Sequence, residues 1–129
     1  MDKNLPVGVI DSGVGGLSVL KVLQQALPHE DFLYIGDTAR YRYRLTLAAQ
    51  NTKEIRAMVH DLTDYLDNAG IKLLVVACNT ITVLGTESIR NGYAFDVVGM
   101  SKGAELALGV TKNKKIGVMA TPFTVASGA

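Results

Sequence analysis

Tryptophan is absent from the 129 residues, cysteine occurs once, proline three times, and aromatic residues make up only 6% of the chain. A single cysteine excludes an internal disulfide framework. With only two scattered histidines, His29 and His60, no zinc-ligand spacing can be assembled either. Long apolar runs are missing too: the most apolar stretch, Ile71 to Cys78, is far shorter than the roughly 20 residues of a membrane-spanning helix. Neither sign of charge dominates. Lys+Arg 13 against Asp+Glu 12 gives a formal net charge of +1, so the whole molecule has no field to draw it to nucleic acid or to a membrane surface. Met1 to Pro6 contains no apolar segment of the kind that opens an export signal, and the expected location is cytoplasmic.

What is present suits one compact domain. At this length, with 48% hydrophobic and 19% charged residues, folding buries roughly two-thirds of the unfolded surface, and no staple is needed. Val7 to Ile10 reads as a strand leading into the turn Asp11-Ser12-Gly13-Val14-Gly15-Gly16. A helical pattern of Leu17, Leu20, Leu23 and Leu27 follows and ends at Pro28. Phe32 to Ile35 reads as a second strand running into a polar loop from Gly36 to about Arg44. The next helix has its apolar face set by Ile55, Met58, Val59, Leu62, Tyr65 and Leu66, with Gly70 as its C-terminal cap; His60 falls on the polar side and His29 in exposed loop.

Ile71 to Ala77 is too continuously apolar for a strand with one wet face, which predicts a central parallel strand covered on both sides. Helix resumes after Cys78-Asn79-Thr80; a short strand about Asp96 to Val98, a helix from about Lys102 to Gly109 and a strand from Lys115 to Ala120 complete the pattern. The alternation predicts an α/β fold, a mainly parallel sheet covered by helices on both faces, with the start of a second similar α/β half. The expected division is an α/β domain over 1–97 carrying the Asp-Ser and Cys-Asn-Thr motifs, and the opening of a second, incomplete α/β domain over 98–129. In such sheets ligands lie at the carboxyl ends of the strands, where Asp11-Ser12, Gly36-Asp37-Thr38, Cys78-Asn79-Thr80 and Ala120-Thr121 all fall.

Two readings of Cys78 fit its position. A thiol where a helix begins meets free N–H groups that favour the thiolate, and Asn79 and Thr80 in the same turn are suited to hold a small anion beside it. Cysteine is also among the most buried residue types and often only packs. Asp11 is either a turn former before Ser-Gly or a group that tunes proton transfer at a facing thiol. The glycine turn matches neither the dinucleotide fingerprint nor the Walker pattern. Arg40-Tyr41-Arg42-Tyr43-Arg44 interleaves bases with aromatics, but the near-neutral whole favours a solvated loop or a local carboxylate patch over a nucleic-acid clamp.

Asp11-Ser12-Gly13-Val14-Gly15-Gly16-Leu17, Gly36-Asp37-Thr38-Ala39-Arg40, Val76-Ala77-Cys78-Asn79-Thr80 and the closing Thr121 and Thr124, in this order and spacing, resemble the amino-terminal half of glutamate racemase, of the aspartate/glutamate racemase superfamily. The resemblance covers nearly the whole chain. It implies cofactor-independent interconversion of L- and D-glutamate, supplying D-glutamate for peptidoglycan, with two cysteines facing opposite sides of the α-carbon. It further implies that Cys78 is one acid/base and Asp11 a catalytic neighbour, and that Ser12, Tyr43, Asn79, Thr80, Thr121 and Thr124 contact an acidic amino acid. No metal is implied. The family's second cysteine, in a Cys-Thr-His motif, lies in the later half, so this chain is expected to be a truncated form. A second copy or a carboxy-terminal half would have to supply the missing side. Where the family has Pro-Tyr-Gly, this sequence has Arg42-Tyr43-Arg44; a positive φ at 44 would cost Arg on the order of 1–2 kcal/mol. The rival expectation is an impaired amino-acid-binding or subunit module of the same family.

Overall fold

The computed structural model describes residues 2–40, 52–100 and 103–126. Along the chain run β1 (Val7–Asp11), α1 (Gly16–Ala26), β2 (Phe32–Gly36), α2 (Thr52–Ala69), β3 (Leu73–Val76), α3 (Asn79–Arg90), β4 (Asp96–Gly99), α4 (Ala104–Val110) and α5 (Pro122–Ala126). The strands form one sheet in the order β2-β1-β3-β4, and every neighbouring pair is parallel. The register pairs Asp11 with Gly36, Ile10 with Val76, and Val76 with Gly99, so all four carboxyl ends finish along one edge.

Burial follows strand position. All five residues of β1 are buried, as are three of the four in β3, because these central strands have helices over both faces. Edge strand β2 is half-buried throughout. In β4 only Val97 is buried, and Val98 on the opposite face is 50% exposed. On one face Ile10, Leu74 and Val76 pack with Ile55, Val59, Leu62 and Leu66 of α2 and Ile81 and Ile89 of α3. On the other, Val7, Val9, Val75 and Ala77 meet Val19, Leu20 and Leu23 of α1. Gly70 ends α2 with φ +81, a left-handed conformation that a side chain would strain.

Four expectations need correction. Leu17 and Leu27 are largely exposed, and the inward row of α1 is Val19, Leu20 and Leu23, which fits the 3.6-residue period better than four leucines. Tyr65 is 65% exposed: about 100° per residue turns it away from Leu66, and Thr63 takes the inward place, satisfied by its hydroxyl donating to the Val59 carbonyl at 2.7 Å. His60 is half-buried rather than on a polar face, stacked 6.1 Å from the Tyr93 ring. No strand forms over Lys115 to Ala120, which is exposed and without a ladder partner among the described residues. Strand character depends on a neighbour to share hydrogen bonds, and an apolar alternation cannot supply one.

Because Leu74 is fully buried between α2, α3 and the sheet, Leu74→Ala is expected to lower stability by about 2–5 kcal/mol. Leu17→Ala is expected to change it by less than about 0.5 kcal/mol. Urea titration of the two variants checks the contrast.

Candidate functional site

The parallel register sets the site. The Ala77 amide donates to the Ile10 carbonyl at 2.8 Å and the Asp37 amide to the Asp11 carbonyl at 2.9 Å, so the loops after β1, β2 and β3 leave side by side. Alternation along β1 turns Asp11 to the same face as Val7 and Val9, beneath the start of α1. Its carboxylate is buried and used by the turn: Oδ1 accepts the Ser12 N–H at 2.8 Å and Oδ2 the Gly16 N–H at 2.8 Å. A carboxylate at a helix N-terminus also complements the helix dipole.

This fixes the path of Ser12, whose Oγ lies 3.0 Å from Cys78 Sγ in a buried contact. Cys78 occupies the N-cap position of α3 in an extended conformation, with no side-chain cap bond, and it is 9% exposed. Its carbonyl accepts from the Thr82 amide at 2.9 Å and hydroxyl at 2.8 Å, which anchors the first turn of α3. The thiol therefore borders the apolar cluster yet faces the hydroxyl of the first glycine turn. Asp11 does not touch it by any hydrogen bond among the described residues; its link to the thiol runs through Ser12.

A second group lies one residue beyond Asn79, which is exposed at the rim. Buried Thr80 Oγ1 is 3.3 Å from both Thr121 Oγ1 and Thr124 Oγ1, and those two are 3.0 Å apart. Three hydroxyls in a triangle can turn their protons toward one another or toward an anion, since each is donor and acceptor. The triangle also ties α5 to α3. Tyr43, Arg42 and Arg44 lie outside the described residues. Arg40 spends its guanidinium on Asp37 at 3.4 Å and Asp61 at 3.0 Å, and Asp37 Oδ2, without a hydrogen bond among the described residues, faces that charge. A shallow depression lined by Arg40, Glu54, Ala57, Met58 and Asp61 shares no residue with the Cys78 group. Among the described residues no group of three His, Cys, Asp or Glu side chains could hold a metal ion.

Tyr34 joins this site without any motif to announce it. Its phenol donates toward Gly13 O at 3.3 Å and Asp11 Oδ2 at 3.5 Å. The available signal was a tyrosine inside an apolar strand, whose hydroxyl must find a partner when buried.

Burial keeps the Tyr34 phenol protonated above its ordinary value of 10.0, and the Asp11 charge and hydrogen bond and the Cys78 charge push the same way. Tyr93 is raised as well, by burial first and then by its hydrogen bond to Asp64 and the charges of Asp64 and Asp67. A raised value means that the folded chain holds protons which the unfolded chain releases once pH passes about 10. The stability these groups contribute is present below that pH and lost as pH climbs through the raised values. Ultraviolet titration should show a late-ionising tyrosine component, reduced in Tyr34→Phe and in Tyr93→Phe, over the alkaline range in which denaturation midpoints fall.

No protein-family model matches the chain. A glutamate racemase of Clostridium botulinum (strain Langeland) is 43% identical over 121 residues, covering 94% of this chain and 46% of that protein. Among solved structures, glutamate racemase from Aquifex pyrophilus is similar with a TM-score of 0.83 and 37% identity over 96% of this chain and 48% of its own. Glutamate racemase from Francisella tularensis subsp. tularensis, solved in complex with D-glutamate, gives 0.80 and 32% over 98% of this chain and 46% of its own. The chain spans about half the length of the curated relatives it matches. In sequence and in fold the chain is similar to the amino-terminal half of glutamate racemases.

Proposed function

We propose that this chain carries one side of a cofactor-independent glutamate racemase site, with Cys78 as the acid/base. The observation that carries the reading is the 3.0 Å contact between Ser12 Oγ and Cys78 Sγ at the carboxyl edge of two adjacent parallel strands. As a thiolate, Cys78 takes the α-proton: the C–H bond breaks, an S–H bond forms, and the electron pair left on the α-carbon spreads into the carboxylate. The Ser12 hydroxyl, 3.0 Å from that sulfur, can donate to it. Thr80, Thr121 and Thr124 supply donors for the substrate carboxylate, Asn79 and Tyr43 further contacts, and Asp11 tunes the thiol by fixing Ser12. Preorganised donors of this kind stabilise charge as it develops and make pyridoxal unnecessary.

The D-glutamate held by the Francisella tularensis relative supports glutamate as the substrate. Product D-glutamate would serve peptidoglycan synthesis in the cytoplasm. Returning a proton to the opposite face of the α-carbon needs a second acid, which this chain would take from a carboxy-terminal half or a second copy. In this reading 1–97 is the first α/β domain and 98–129 opens the second. Leu106, Val110, Val118 and Met119 are all strongly exposed, which supports a further polypeptide packing there and keeps a subunit or binding role as the second reading.

The test is α-hydrogen exchange in deuterated buffer with each glutamate enantiomer. One enantiomer is expected to gain deuterium without inversion, and Cys78→Ala is expected to slow that exchange by about 10²–10⁴-fold. Binding without exchange of either enantiomer would leave the binding module.

A further inference from the structure

The geometry points to Tyr34 as a positioning residue: its phenol grips the first glycine turn on both sides of Ser12 and thereby holds the Ser12 hydroxyl against Cys78. The catalytic meaning of this role rests on Cys78 acting as the acid/base proposed above.

Register and period place the ring. Val7, Val9 and Asp11 share a face of β1, and their partners Phe32, Tyr34 and Gly36 share that face of β2. Tyr34 sits opposite Val9, so its ring must run forward along the strand to reach Asp11. Gly36 makes that reach possible. A Cβ there would stand 3.1 Å from both Cε1 and Oη of Tyr34 and 2.4 Å from the Gly13 carbonyl oxygen. The ring and the turn occupy the space that any side chain at 36 would fill.

The phenol has one proton, shared between Gly13 O at 3.3 Å and Asp11 Oδ2 at 3.5 Å. These acceptors belong to the residues on either side of Ser12. The remaining ties of the Asp11 carboxylate are to backbone N–H groups of Ser12 and Gly16, so Tyr34 is the one side chain among the described residues that donates to it. Asp11 and Cys78 are also the charged groups that act on the phenol, from β1 and from the start of α3. Removing the hydroxyl would leave the carboxylate less neutralised and the turn less fixed. Both changes disfavour a thiolate at Cys78, one through charge and the other by misaligning the Ser12 donor.

Cys78 is the only cysteine, so alkylation by iodoacetamide reports on one atom of the intact chain. Tyr34→Phe, which keeps the ring, is expected to slow alkylation at neutral pH about 3- to 10-fold and to move the pH–rate midpoint upward. Ser12→Ala is expected to act in the same direction, and the double variant to go little further than the larger single, because the two act through one contact. Tyr93→Phe, which loses a phenol bond to Asp64 instead, is expected to leave the midpoint in place. The inference is overturned by an unshifted profile in folded Tyr34→Phe, by an equal shift in Tyr93→Phe, or by additivity in the double variant. Should Tyr34→Phe fail to fold, Cys78→Ala reads the coupling from the other end: Tyr34 is expected to ionise at lower pH, and an unchanged titration refutes the link. Glutamate exchange with a Tyr34-independent thiol profile sinks this inference alone. A Tyr34-dependent profile without exchange sinks the racemase reading alone.

Discussion

A buried carboxylate that accepts two backbone N–H groups organises this molecule. Asp11 ends the fully buried strand β1, and its two oxygens fasten the Ser12 amide and the first amide of α1. Hydrogen bonds to a charged group are worth about 1.5–3 kcal/mol each, and a buried carboxylate deprived of them would be strongly unfavourable. Strand end, turn and helix start are therefore locked as a unit. Asp11 is a structural residue before it is anything else, and the placement of the Ser12 hydroxyl beside the thiol follows from that lock.

Parallel pairing does the rest of the assembly. Each crossover returns the chain to the same starting edge, so the loops after β1, β2 and β3 emerge together although they are far apart in sequence. The contact between Ser12 and Cys78 spans 66 positions of chain and depends on β1 lying next to β3. Apolar β3 can occupy that central place because α2 and α3 cover one face and α1 the other. Thr80 then carries the order outward, since its hydroxyl meets those of Thr121 and Thr124 and draws α5 onto α3.

Much of this was legible from residue order alone. Continuous apolar runs marked β1 and β3, the three-and-four spacing of Ile55, Val59, Leu62 and Leu66 marked α2, and Gly70 marked its end. These signals are local, and local physics decides them. The strand expected over Lys115 to Ala120 failed because pairing is a property of two segments, and no partner stands beside it among the described residues. Tyr65 was misplaced because an aromatic on the flank of an amphipathic helix counts toward the pattern without entering the core. At the site, the helix start after β3 and the polar turn after β1 could be read, and the threonine roles came with the resemblance. The distance from Ser12 to Cys78 could not be read, since strand order is not written in any one strand. Tyr34 was hidden for the same reason: its partner lies on a neighbouring strand, and its path depends on an absent side chain at Gly36.

The amino ends of the strands tell a different story. There Lys72, just before β3, pairs with Glu30 ahead of β2 and donates to the Lys3 carbonyl at 2.6 Å, while its own amide bonds Pro6 O at 3.0 Å. The Ser12–Cys78 contact and the threonine hydroxyls stand at one rim and these fasteners at the other, separated by the length of the strands. The clasp at the base and the sulfur at the summit thus share no contact among the described residues and are joined only through the strands between them.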